Sequence, residues 1–216
     1  REAERRATSI YLVDRTIPML PERLSNVLCS LRPKEDKLCF SVIFELDENA
    51  EIKKSRITRT VIHSDVRLTY EEAQAVIETG KGDFSSEILV LNDLAQKMRE
   101  RRFANGAINF ERYEVKFNLD EKGKPLGVYF KESKEANHLI EEFMLLANKT
   151  VAESIGKVPK NKNAKTFVYR IHDIPDSEKL DTLNTFILRF GHKIKTEGSK
   201  VEVAKSINSL LDKVQG

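Results

Sequence analysis

Four side chains in this sequence have the chemistry to grip a polynucleotide: Tyr11, Tyr70, Phe110 and Glu141. The three rings fall at turns or element boundaries, in TSIYLVD, RLTYEEA and GAINFER. There an aromatic face stays accessible and a base can stack on it. Taken singly, packing in a core is the commoner use of such a ring. Glu141 lies at the edge of an apolar helix face, where a carboxylate ordinarily reaches solvent or pairs with Lys or Arg. It can also accept a hydrogen bond from a ribose 2′-hydroxyl, the group that separates RNA from DNA.

No complete hydrolytic site accompanies them. The chain has no Walker loop, G-x-G-x-x-G, G-x-S-x-G or H-E-x-x-H pattern. Two-metal phosphodiester hydrolysis needs several carboxylates converging on ions about 3.5–4 Å apart, and no D-x-D or D-D cluster supplies them. His172 and Asp173 are adjacent, but a metal phosphohydrolase needs further ligands at fixed spacing, which His63, His138 and His192 do not provide. Structural hydrogen bonds at a strand end are the plainer use of that pair.

These residues need a scaffold, and 216 residues are enough to bury a core in one domain or two small ones; the pattern reads as one. Hydrophobic residues make up 40% and charged residues 33%, and no apolar run approaches the roughly 20 residues of a membrane span, so no membrane partner is expected. A net charge of +3 permits nucleic acid without requiring it. Cys29 and Cys39 lack C-x-x-C spacing and no signal-peptide pattern is present, which points to reduced thiols and a cytoplasmic protein. The chain opens at Arg1 with REAERRATSIYL, which reads as the tail of a charged helix running straight into a motif and suggests a piece of a longer protein.

The elements follow from periodicity and punctuation. LCFSVIFELD, from Leu38 to Asp47, and IKKSRITRTVIH, separated by the polar ENAE, read as paired antiparallel strands. Thr69 to Gly80 carries helix start and stop signals. Ile88, Leu91, Leu94, Ala95 and Met98 predict a helix from about Ser85 to Arg102. YEVKFNLDEKGKPLGVYFK gives two strands about a turn at Glu121 to Pro125. The helix from about Lys134 to Ile155 has Leu139, Ile140, Phe143, Met144, Ala147 and Val151 as its apolar face, with Asn137, Glu141 and Asn148 beside it. TFVYRIHD reads as a buried strand, and helices from about Asp176 to Phe190 and Lys200 to Val214 complete an α+β order. The expected architecture is a mixed, largely antiparallel sheet packed with helices.

Several strings together resemble one family, the ribonuclease II/ribonuclease R (VacB) exoribonucleases: TSIYLVDRTIPMLPERLSNVLCSLRP, VRLTYEEA, GAINFE, HLIEEFMLLAN and YRIHDIPD. They occur in the family's order along the whole chain, and RIHD favours the ribonuclease R branch. The resemblance implies the middle of a ribonuclease II-type catalytic domain over residues 1–216. It also implies a processive hydrolytic 3′→5′ exoribonuclease that threads single-stranded RNA through a channel and releases nucleoside 5′-monophosphates. Tyr11 matches the aromatic that packs on nucleotides near the 3′ end, and Phe110 its partner in the clamp. Tyr70 and Glu141 match positions that contact the sugar and favour ribose.

The family's magnesium-binding aspartate cluster belongs upstream of Arg1, its S-P-I-R-R-Y-like arginine downstream, and its cold-shock and S1 modules on either side. Magnesium is therefore expected in the full-length parent and not on these residues, which are expected to be inactive alone. No obligate protein partner is implied. A non-catalytic RNA-binding module of the same fold is the alternative from another class. The prolines are expected to fix an irregular path that carries Tyr11 into the channel and packs back on the core through LSNVLCSL.

Overall fold

The computed structural model describes residues 1–109, 114–159, 161, 163, 165–171 and 175–215. Phe110, His172 and Asp173 lie outside the described residues.

The N-terminal segment has little regular structure. After a short helix α1 (Glu2–Arg6) come strands β1 (Ile10–Tyr11) and β2 (Thr16–Ile17), paired antiparallel, with the Leu12 N–H donating to the Arg15 carbonyl at 2.8 Å. Side chains pin the path where prolines remove backbone donors. Arg6 donates to the Pro18 carbonyl at 2.8 Å, and Ser9 Oγ accepts the Met19 N–H at 3.0 Å. A single π-helical turn follows (Arg23–Leu28). The expected packing of LSNVLCSL on the core is not found, because Leu24, Val27, Leu28 and Leu31 are all exposed.

The sheet structure consists of separate ribbons. Strand β3 (Asp36–Leu46) pairs antiparallel with β4 (Ile52–His63), and β5 (Glu114–Leu119) with β6 (Pro125–Lys131). Between β3 and β4, Asp47 Oδ1 accepts the N–H groups of Asn49 and Glu51 at 3.0 and 2.8 Å, an Asx turn that closes the hairpin. Leu38, Phe40 and Val61 remain exposed on one face of this ribbon.

The helices form the packed part. Helix α2 (Tyr70–Thr79) has both expected end signals. Thr69 and Glu72 form a reciprocal capping box, and Gly80, at φ 67°, takes the left-handed position that a residue with a Cβ resists. Helix α3 (Ser85–Ala104) buries Ile88, Ala95 and Met98, while Leu91 is exposed. Helix α4 (Glu135–Gly156) packs against both α2 and α3.

The face of α4 differs from expectation. Ile140 and Met144 are half-exposed, whereas Ala136 and Glu142 are buried. TFVYRI is not a buried strand either: residues 166–171 have no regular structure, and Val168 and Ile171 are exposed. The final helices, α5 (Ser177–Leu188) and α6 (Lys200–Gln215), close over Ile187, Ile194 and Ile207, joined by Ile108.

The accessible surface is 17199 Å². A folded monomer of this length has roughly 10,000 Å², so much apolar surface on the ribbons and the N-terminal segment is uncovered. Among the described residues no helix is long and apolar enough to cross a membrane.

Candidate nucleic-acid interface

Helix α4 is anchored at its start by Gln74. The buried Gln74 Oε1 accepts the Ala136 N–H at 3.0 Å, satisfying one of the N–H groups that a helix start leaves without a partner. Its Nε2 donates to Glu135 Oε2 at 2.7 Å and to Glu78 Oε1 at 3.0 Å. Glu135 is held below the usual carboxylate range first by its own backbone N–H and then by Gln74. One amide therefore fixes α4 against α2.

One turn and a half further along, α4 meets α3 through charge. Arg102 Nε and Nη2 donate to Glu142 Oε1 at 2.9 and 2.5 Å, and the same Nη2 donates to Glu141 Oε1 at 3.2 Å. Glu142 is only 4% exposed, so its charge needs this guanidinium. Arg99 Nη1 stands 3.8 Å from Glu141 Oε2, and Arg99 also donates to Asn109 Oδ1 at 3.3 Å. Both guanidiniums lie over the Phe103 ring, 4.7 and 5.1 Å from its centroid. The Asn109 N–H in turn donates to Asn208 Oδ1 at 2.9 Å, which ties this wall to α6.

Arg99, Arg102, Phe103, Asn109 and Glu141 line a cleft of about 430 Å³ that also takes in Lys131, Asn137 and His138, whereas Glu142 lies on the far side of Arg102 from it, in another cleft. Burial, and after it the Arg99 guanidinium, push the His138 imidazole below its ordinary range. A second cleft, of about 480 Å³, adjoins the first, and Lys131, Glu132 and Asn137 line both. It contains Tyr70, Tyr129 and Phe130. Lys131 Nζ sits 5.9 Å from the Tyr70 ring centroid and 2.7 Å from Glu71 Oε1. That bond with Glu71 raises the Lys131 pKa, so the lysine is fully charged beside the ring.

The structure therefore brings Tyr70 and Glu141 into adjoining clefts with a shared wall. Tyr11 lies in neither: it is 80% exposed on β1, and among the described residues no ring or cation stacks on it. Phe110 lies outside the described residues. Sequence reasoning missed Gln74, Arg102, Glu142, Lys131 and Tyr129. A signal existed for Glu142, because Leu139, Glu142, Phe143 and Leu146 recur at the spacing of one helix face.

The RNB domain family matches residues 1–216. The chain belongs to the RNB domain family. The resemblance to ribonuclease II and ribonuclease R exoribonucleases is thereby shown, and eukaryotic exonucleases join the relatives. This chain is 42% identical over 203 residues to DIS3-like exonuclease 2 of Schizosaccharomyces pombe, covering 87% of this chain and 22% of that protein. It is 36% identical over 201 residues to ribonuclease R of Aquifex aeolicus, covering 90% of this chain and 28% of that protein. The RNB chain thus spans about a quarter of these relatives' length.

A solved structure of Mycoplasma genitalium RNase R in complex with ribose methylated single-stranded RNA superposes with a TM-score of 0.84 at 26% identity. It covers 98% of this chain and 34% of that one. The α+β architecture of antiparallel ribbons and helices is that of part of the RNase R RNB domain.

Proposed function

We propose that residues 1–216 act within one RNB catalytic domain as the strand-holding wall of a processive 3′→5′ exoribonuclease. In this reading the full-length protein takes single-stranded RNA and releases nucleoside 5′-monophosphates. The observation that carries it is the pair of adjoining clefts that sets Tyr70 and Glu141 on one wall, with the charged Lys131 and Asn137 between them. A processive nuclease must hold any base. Base–aromatic stacking contributes about 1–3 kcal/mol per base and tolerates every sequence, which suits Tyr11, Tyr70 and Phe110. Choosing ribose needs a directional acceptor instead, and Glu141 supplies a carboxylate on a packed helix.

Among the described residues no group of three or more His, Cys, Asp or Glu side chains converges. The described residues do not fit a magnesium-pair site. Residues 1–216 alone are proposed to be inactive, because their sequence carries no D-x-D or D-D cluster.

The test uses full-length protein with magnesium and single-stranded RNA and DNA of one sequence. Release of mononucleotides from RNA is expected, and Glu141→Ala is expected to lower the RNA-to-DNA rate ratio by about tenfold, the loss of one hydrogen bond to a charged group. RNA bound but left intact would favour a non-catalytic RNA-binding module of the same fold. An unchanged ratio would remove Glu141 from the sugar-reading role.

A further inference from the structure

We infer that Arg102 and Glu142 are positioning residues that hold the Glu141 carboxylate in place for the sugar before a strand arrives; this rests on the sugar-reading role proposed for Glu141. A glutamate on an exposed helix face rotates about three side-chain bonds, and a ligand that needs it in one orientation must order it on binding. Glu141 is spared that, because Arg102 Nη2 already donates to its Oε1 at 3.2 Å. Arg102 itself does not wander. Glu142 is buried on the inner side of α4 and takes two N–H bonds from it, at 2.9 and 2.5 Å, and an unpaired carboxylate there would be costly. The buried acid fixes the guanidinium, and the guanidinium fixes the acid that lines the cleft.

Three features make this more than an ion pair. Glu141 keeps acceptor capacity, because a carboxylate offers about four acceptor positions. Among the described residues the cation nearest its Oε2 is Arg99, at 3.8 Å, beyond hydrogen-bond distance. The charges lining the cleft also balance, since Arg99, Arg102 and Lys131 stand against Glu114, Glu132 and Glu141, and the cleft does not repel a phosphate chain as isolated glutamates would. Finally, the guanidinium is oriented by a fork. Nη2 reaches both glutamates and Nε adds a second bond to Glu142; a lysine's single nitrogen on a flexible stem lacks that second bond and the fixed orientation it gives.

The experiment measures the affinity of full-length protein for all-ribose and all-deoxyribose oligonucleotides of one sequence, in Glu141→Ala, Arg102→Lys and the double variant, with thermal unfolding alongside. Arg102→Lys keeps the charge and is expected to lower the RNA-to-DNA affinity ratio by about tenfold, through weaker RNA binding with DNA binding unchanged. Added to Glu141→Ala, it is expected to lower the ratio no further. If Glu141→Ala lowers the ratio and Arg102→Lys does not, the positioning role is overturned and the reading of Glu141 stands. Independent, additive losses overturn it as well. If Glu141→Ala leaves the ratio unchanged, the sugar-reading role falls and the positioning role with it. Should Arg102→Lys fail to fold, Glu142→Gln takes its place: a lowered ratio supports the inference, and a full wild-type ratio overturns it.

Discussion

Glu141 and Tyr11 are expected to touch the same kind of ligand from two different kinds of support. Glu141 projects from a 22-residue helix whose start is fixed by Gln74 and whose middle is tied to α3 through Arg102. Tyr11 sits on a two-residue strand, 80% exposed, in a segment where Leu12, Leu24, Leu28 and Leu31 also face outward. The difference matches what each contact must do. Accepting one hydroxyl depends on direction and needs a side chain fixed within a narrow range. Stacking on a base of any sequence is less exacting, and a ribbon can deliver it.

The comparison can be broken most sharply at Arg102. Arg102→Ala leaves the buried Glu142 carboxylate without its cation and is expected to cost about 3–5 kcal/mol of stability in chemical denaturation. A near-neutral result would mean that α4 is not anchored by charge. Gln74→Ala is expected to cost about 1–3 kcal/mol, because the Ala136 N–H loses its acceptor in a buried position. A loss comparable to that of Arg102→Ala would put the main anchor of α4 on α2 instead.

Tyr11→Ala should show the opposite profile. Its unfolding free energy is expected to stay within about 0.5 kcal/mol of wild type, while single-stranded RNA binding by the full-length protein weakens by about 1–3 kcal/mol. Loss of stability without loss of binding would move Tyr11 from the stacking role into the packing of the N-terminal segment.

The smallest expected effect concerns α6, which secures the wall through Asn208. The Ser199 N–H, then the Ser199 hydroxyl and Lys195, hold the Glu202 carboxyl at a pKa of about 2. A folded pKa below the unfolded one means that this cap contributes fully above the ordinary glutamate range, and the contribution is lost as pH falls through the folded value. Following the Glu202 carboxyl and Ser199 amide resonances from neutral pH down to about 2 should show a midpoint near 2. A midpoint near about 4, the ordinary glutamate value, would show that the cap is not formed.

How much was legible depended on whether the cause was local. Helix α2 was readable to the residue because Thr69, Glu72 and Gly80 act on their own backbone neighbours. The β3–β4 hairpin was readable because alternation and a polar turn are likewise local. TFVYRI misled for the converse reason: an apolar, β-branched run predicts a strand, but strand formation needs a partner edge, and residues 166–171 have none among the described residues. The arginines of α3 were ambiguous for a related reason. In RERR the helix sends Arg101 toward the carbonyls of Asn49 and Ala50 and the Glu51 carboxylate, while Arg99 and Arg102, three apart, share the side that meets α4.

The sequence by itself determined helices α2 to α6, the β3–β4 and β5–β6 hairpins, the family, and the identity of Tyr70 and Glu141 as candidate contact residues, because capping, alternation and motif are written along the chain. Only the tertiary structure decided that Tyr70 and Glu141 share a wall and that Glu142, rather than Ile140 or Met144, is buried on α4. It also singled out Arg102 as the cation that joins the two glutamates. Arg102 and Glu142 stand 40 positions apart, and nothing local to either selects the other. That choice is made by the cost of burying a charge, which exists only once α3 and α4 have packed and excluded water.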